Sequence, residues 1–82
     1  MNQINKLREE IDKVDSEIVK QLNKRIELVL EIKECKKKSN LPIEDCAREE
    51  EIISNLELGE SDEKFVRDIY QVIFRFSKSR QR

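Results

Sequence analysis

The sequence contains no His and no Trp, one Gly, one Pro and two Cys in 82 residues. Each shortage excludes something. Without His there is no Ser-His or Cys-His nucleophile pair. Cys35 and Cys46 are too few to staple a fold, and with no His beside them a Cys-only or Cys/His zinc site fails on count. They are expected to be reduced thiols behaving as small, inert hydrophobes in a cytoplasmic protein. No apolar run approaches the ~18 residues of a membrane span, and no signal-peptide pattern opens the chain. An excess of either charge is also missing. Seventeen Lys and Arg against 18 Asp and Glu leave a net charge of -1, which is not the basic footprint of a nucleic-acid binder. No metal, cofactor, nucleic acid or membrane is therefore expected.

What is present is charge of both signs, 43% of residues, over a 37% hydrophobic content. Leu, Ile, Val and Phe make up roughly 30%, above the ~20% floor associated with disordered chains. The length allows one small domain, 1–82. Helix breakers stand in two places. Pro42 in Ser39-Asn40-Leu41-Pro42 ends a first segment. Gly59 suits the C-cap of a second, and Ser61 or Asp62 the N-cap of a third. Three helices follow, at about 4–38, 45–57 and 62–80. Period-2 alternation persists nowhere, so the fold class is all-α.

The first segment carries Ile4, Leu7, Ile11, Val14, Ile18, Leu22, Val29 and Ile32 at helical spacings. A helix of some 35 residues is about 50 Å long, and the other two, about 20 and 28 Å, are too short to cover that stripe. An obligate homodimer with its long helices packed together is expected, because so short a chain cannot bury the stripe alone.

Charges occupy positions that periodicity reserves for apolar residues. Counting about 100° per residue from Ile4, the stripe spans about 280° to 0°; Arg25 falls near 300°, Lys36 near 320° and Arg8 at the edge near 40°. In the second segment Ile52, Ile53 and Leu56 form the inner face, and Arg48 and Glu49 share it by their three- and four-residue spacing. In the third, Val66, Ile69, Tyr70, Ile73 and Phe76 form the stripe, and Ser77 and Gln81 extend it at i+4 steps. Simpler readings exist for single residues: a buried Arg25–Glu49 pair, a Ser77 hydroxyl bonded back to its own helix, a Glu49 complementing a helix start. Together, however, Arg8, Arg25, Lys36 and Arg48 oppose one inward carboxylate, Glu49. A cation facing a core needs a partner, and this surplus suits a small ligand with several carboxylates, which Arg takes bidentately. With no nucleophile, metal cluster or phosphate loop, any reaction at such a site relies on positioning and electrostatics.

These residues resemble the all-α class of chorismate mutases. Leu7-Arg8-Glu9-Glu10-Ile11-Asp12 followed by Asp15, Leu22-Asn23-Lys24-Arg25, Lys36 eleven residues on, the Pro42-x-x-Asp45-x-x-Arg48-Glu49 run, and Ser77 with Gln81 carry the likeness along essentially the whole chain. The resemblance implies conversion of chorismate to prephenate in aromatic amino-acid biosynthesis. It implies an intertwined homodimer in which Arg25 and the partner subunit's Arg8 hold the two substrate carboxylates. Lys36 and Gln81 would donate to the ether oxygen of the breaking C–O bond, and Glu49 would accept from the ring hydroxyl. Asp45, Arg48 and Ser77 would line or support the site. A [3,3] rearrangement needs no acid, base or cofactor, only a folded substrate and stabilised charge. Fusion to a dehydratase, dehydrogenase or synthase is not expected. Two rivals stand beside this reading. Isochorismate-pyruvate lyase shares the fold, but the intact Asp45-x-x-Arg48-Glu49 run favours the mutase. A non-catalytic helical dimerisation module conflicts with inward Arg25 and Lys36, which would destabilise a plain apolar seam.

Overall fold

The computed structural model describes residues 2–39 and 46–81. They form three helices and, among the described residues, no strand: α1 (Asn2–Ser39), α2 (Cys46–Asn55) and α3 (Glu63–Gln81). The 38 residues of α1 contain neither Gly nor Pro, and Lys36, Lys37 and Lys38 in its last turn complement the helix dipole. Thirty-eight residues at 1.5 Å are about 57 Å, and the chain's longest dimension is 57 Å, against 23 and 17 Å across. One helix sets the length of the molecule. The first break, expected at Pro42, and the start of the second helix, expected at about 45, fall outside the described residues.

The connection from α2 to α3 differs from the sequence expectation. The second helix ends at Asn55 rather than near 57, where the Leu56 amide turns back to the Ile53 carbonyl at 3.2 Å. Gly59 is therefore not its C-cap. It sits at φ +58° in a turn closed by the Ser61 amide on the Leu58 carbonyl, 2.9 Å. That left-handed backbone is what requires glycine there. Of the two candidate N-caps Asp62 is the one used, its Oδ1 accepting from the Phe65 amide at 2.7 Å.

Helix α3 is the central element. It packs on α1 and on α2, while among the described residues no backbone of α1 comes within 8 Å, Cα to Cα, of α2. Both α1 and α3 run the same way. Val14 shares a groove with Ile69, Arg25 meets Ser77, and Lys36 shares a cavity with Gln81. Each helix supplies one buried apolar side chain: Val29, Ile53 and Phe74. Arg67 of α3 ties α2 down through Glu50 at 3.0 Å and also reaches Glu63 at 3.6 Å. The Glu50 hydrogen bond and charge hold its guanidinium above the ordinary arginine value.

Phe74 corrects the expected stripe of α3. Counting from Val66 at about 100° per residue, Tyr70, Phe74, Ser77 and Gln81 fall at about 20–80°, and Ile69, Val72 and Phe76 at about 240–300°. The first arc faces the other helices. The second is bare, with Ile69 42%, Val72 56% and Phe76 48% exposed. So many positions of α3 are apolar that periodicity alone could not choose the inner arc, and Phe76 is not part of it. Cys35 and Cys46 are likewise exposed rather than packed as small hydrophobes.

Only the C-terminal part of α1 is covered enough to bury a side chain. Every residue from 2 to 24 is exposed, including Ile4, Leu7, Ile11, Val14 and Ile18 at 47–57%. No helix among the described residues is long and apolar enough to cross a membrane.

Phe74 is 4% exposed, packs 5.5 Å centroid to centroid on Tyr70 and lies under the Arg25 guanidinium. Phe74→Ala should lower the unfolding free energy by about 3–5 kcal/mol, whereas Phe76→Ala should cost the isolated chain far less. Denaturant titration of both variants checks the assignment.

Candidate active site

The expected polar residues meet where the three helices converge. Arg25 and Lys36 of α1, Arg48 and Glu49 of α2, and Ser77 and Gln81 of α3 line one cavity of about 360 Å³, floored by apolar side chains such as Val29, Ile52 and Phe74. That volume is within the usual range for small-molecule sites, roughly 300–1,000 Å³. Local sequence explains the convergence. Arg25 and Lys36 are eleven residues apart, three turns of α1, so they share a face with Val29. Ser77 and Gln81 stand one turn apart on the inner arc of α3. Glu49 lies one turn before Ile53 on α2.

Arg25 is fixed in place. Its guanidinium donates to the Ser77 hydroxyl at 2.6 Å and sits 5.8 Å above the centre of the Phe74 ring. The Ser77 hydroxyl in turn donates to the Ile73 carbonyl at 2.9 Å. The back-bonded serine and the site serine are thus the same arrangement. The bond to Ile73 uses the hydroxyl proton and turns a lone pair toward Arg25. Two bonds and a ring hold a cation that would otherwise be costly on an apolar wall.

Arg25 and Glu49 do not pair. Glu49 Oε2 is 3.2 Å from Lys78 Nζ, across from α2 to α3. Lys78 lines the same cavity and was not singled out from the sequence. Its place in the last turn of α3 reads as a dipole-complementing cation, and on the wheel it stands just outside the inner arc. A spacing of i+4 from Phe74 was the one available signal. Arg48, expected on the inner face, lies at the rim, its side chain 59% exposed and paired with Glu51. Arg8 is far from the cavity. It is exposed, and 28 residues of helix separate it from Lys36, about 42 Å. Asp45 lies outside the described residues.

The cavity therefore holds Arg25, Lys36, Arg48 and Lys78 against Glu49. Such a site attracts anions, fixes a planar carboxylate through Arg25, and offers Lys36 and the Gln81 amide as further donors.

The model of the family chorismate mutase type II matches residues 7–82. A bifunctional chorismate mutase/prephenate dehydratase of Aquifex aeolicus (strain VF5) is 45% identical over 56 residues, 68% of this chain. The aligned part is 16% of that protein's length. No solved structure matches the chain.

The surplus of fixed cations predicts that small dicarboxylates stabilise the fold. At a hundred times its dissociation constant such a ligand adds about 2.7 kcal/mol, read as a rise in Tm. Arg25→Met should abolish the rise, and a monocarboxylate of the same size should give less of it.

Proposed function

The chain belongs to the chorismate mutase type II family, and from that premise we propose that it converts chorismate to prephenate within aromatic amino-acid biosynthesis. The observation that carries the reading is the convergence of Arg25, Lys36, Glu49, Ser77 and Gln81 on one cationic cavity. The substrate bears two carboxylates, and its rearrangement breaks a C–O bond while forming a C–C bond intramolecularly. Nothing is transferred to the protein. Catalysis then consists of folding the enolpyruvyl arm over the ring and stabilising the charge that grows on the ether oxygen.

Arg25, held by Ser77 and the Phe74 ring, takes one carboxylate. Lys36 and Gln81 donate to the ether oxygen, and Lys36 acts more strongly as that oxygen becomes negative, so its contribution is larger in the transition state than in the ground state. Glu49 accepts from the ring hydroxyl. Arg48 at the rim supports the site, and so does Asp45, three residues before it in sequence. No cofactor takes part. The activity is placed in the cytoplasm, where the thiols of Cys35 and Cys46 stay reduced.

The second carboxylate falls to Arg8 of the partner subunit in an intertwined homodimer. The unfilled N-terminal face of α1 and the bare Ile69–Val72–Phe76 arc of α3 support this reading. A groove of about 740 Å³ between them, walled by Val14, Ile18, Leu22, Ile69 and Ile73, is shaped for a second long helix. Covering it would take out of water exposed apolar side chains such as Val14, Ile18 and Val72.

Incubating the purified protein with chorismate should yield prephenate, and Lys36→Ala should lower kcat by about 10²–10³. A variant altered in KM alone would demote Lys36 to ground-state binding. Sharing of the site is read separately, from mixed dimers of Arg8→Ala and Lys36→Ala chains. Each homodimer should be nearly inactive, and a heterodimer should recover one intact site of two. No recovery despite measured subunit exchange would disprove the shared site.

A further inference from the structure

Four lysines among the described residues form ion pairs within their own helix and in water. Lys20–Glu17, Lys24–Glu27, Lys37–Glu34 and Lys64–Asp68 are all i,i+3 or i,i+4 pairs with side chains 56–86% exposed. Such pairs are screened. Lys78 is different. Its pair with Glu49 crosses from α3 to α2 at 3.2 Å, with side-chain exposures of 24% and 23%, inside the cavity. We infer that Lys78 is a positioning residue that aims the Glu49 carboxylate and thereby sets the site's preference for a substrate bearing a ring hydroxyl.

The inference rests on the reading of the site given above and deepens it. A carboxylate is an awkward acceptor in a cavity that binds a dianion, because the substrate's own charges repel it. Lys78 offsets that repulsion at Glu49, the one acidic side chain among the described residues that line the cavity. The 3.2 Å contact is made to Oε2. A carboxylate has two oxygens, and with Oε2 anchored to α3 the torsion of the Glu49 side chain is set, so Oε1 meets a hydroxyl in one orientation. Arg25 does not serve this purpose, since its guanidinium is engaged by Ser77 and Phe74. Lys36 and Arg48 contribute positive charge from α1 and from the rim. The cation that holds Glu49 across the helix interface is Lys78. Lys78 touches neither the reacting atoms nor the substrate in this scheme and acts through Glu49.

The test compares chorismate with the analogue whose ring hydroxyl is replaced by hydrogen. The quantity read is the ratio of their kcat/KM values. A site that hydrogen-bonds a substrate hydroxyl rejects the analogue lacking it, and misaligning a positioned group by about 1 Å costs on the order of 10²-fold. Lys78→Met and Lys78→Gln should therefore lower the ratio by at least about tenfold: both dianions lose the offsetting charge, and chorismate alone also loses the aimed acceptor. Lys78→Arg should restore most of it. Two neutral variants are used so that a folding defect in one, checked by circular dichroism, does not decide the matter. Equal losses on both substrates with an unchanged ratio would make the pair merely structural and overturn the inference, while turnover of chorismate by the parent left the site reading intact. A parent protein that does not turn over chorismate at all would overturn both.

Discussion

The long helix outruns everything that packs on it. Helix α1 has 38 residues against 10 and 19 in α2 and α3, and the two shorter helices cover only its C-terminal part. The covered part has a core, with Val29, Ile53 and Phe74 meeting at its centre. The uncovered part keeps an apolar stripe facing water, held helical by local ion pairs and by the absence of Gly and Pro. That inequality of length orders the rest. The cavity forms at the covered end, where three helices are available to wall it. Arg8 stands on the other end, out of its own chain's reach.

Within the cavity the cations are held by different means according to burial. Arg48 at the rim has a local carboxylate, Glu51, and water around it. Arg25, further in, has a hydroxyl and an aromatic face, both neutral, so its charge is positioned without being cancelled. Lys78 faces Glu49, a carboxylate that also lines the cavity. Among the described lining residues the cationic side chains outnumber the carboxylates, and they stand on helices rather than loops. For a rearrangement that demands geometry and charge stabilisation, a fixed field of this kind is worth more than a mobile one.

Family membership and cavity chemistry bear on different questions. The match over residues 7–82 speaks to ancestry and fold. The relative's dehydratase activity concerns a protein of which this chain aligns with 16%. Which groups can meet an anionic ligand is a matter of the cavity itself. At Ser77 a hydroxyl back-bonded to Ile73 and a hydroxyl serving Arg25 are one side chain satisfying both demands.

The sequence by itself determined the class, the number of helices, the excess length of the first and the six polar side chains that meet in the cavity. It did so because helical periodicity is a one-dimensional code: residues three, four, seven or eleven apart share a face in any helix. The register of Arg25 with Lys36, and of Ser77 with Gln81, needed nothing more. Tertiary structure decided what no single helix encodes. Helix α3 is apolar over so wide an arc that Phe74, not Phe76, became core only when α1 and α2 were set against it. Gly59 moved from a helix cap into a turn because α2 unwound after Asn55. Glu49 drew Lys78 instead of Arg25. That pairing depends on which faces of two helices meet and at what depth from water, and periodicity along one chain carries no information about either.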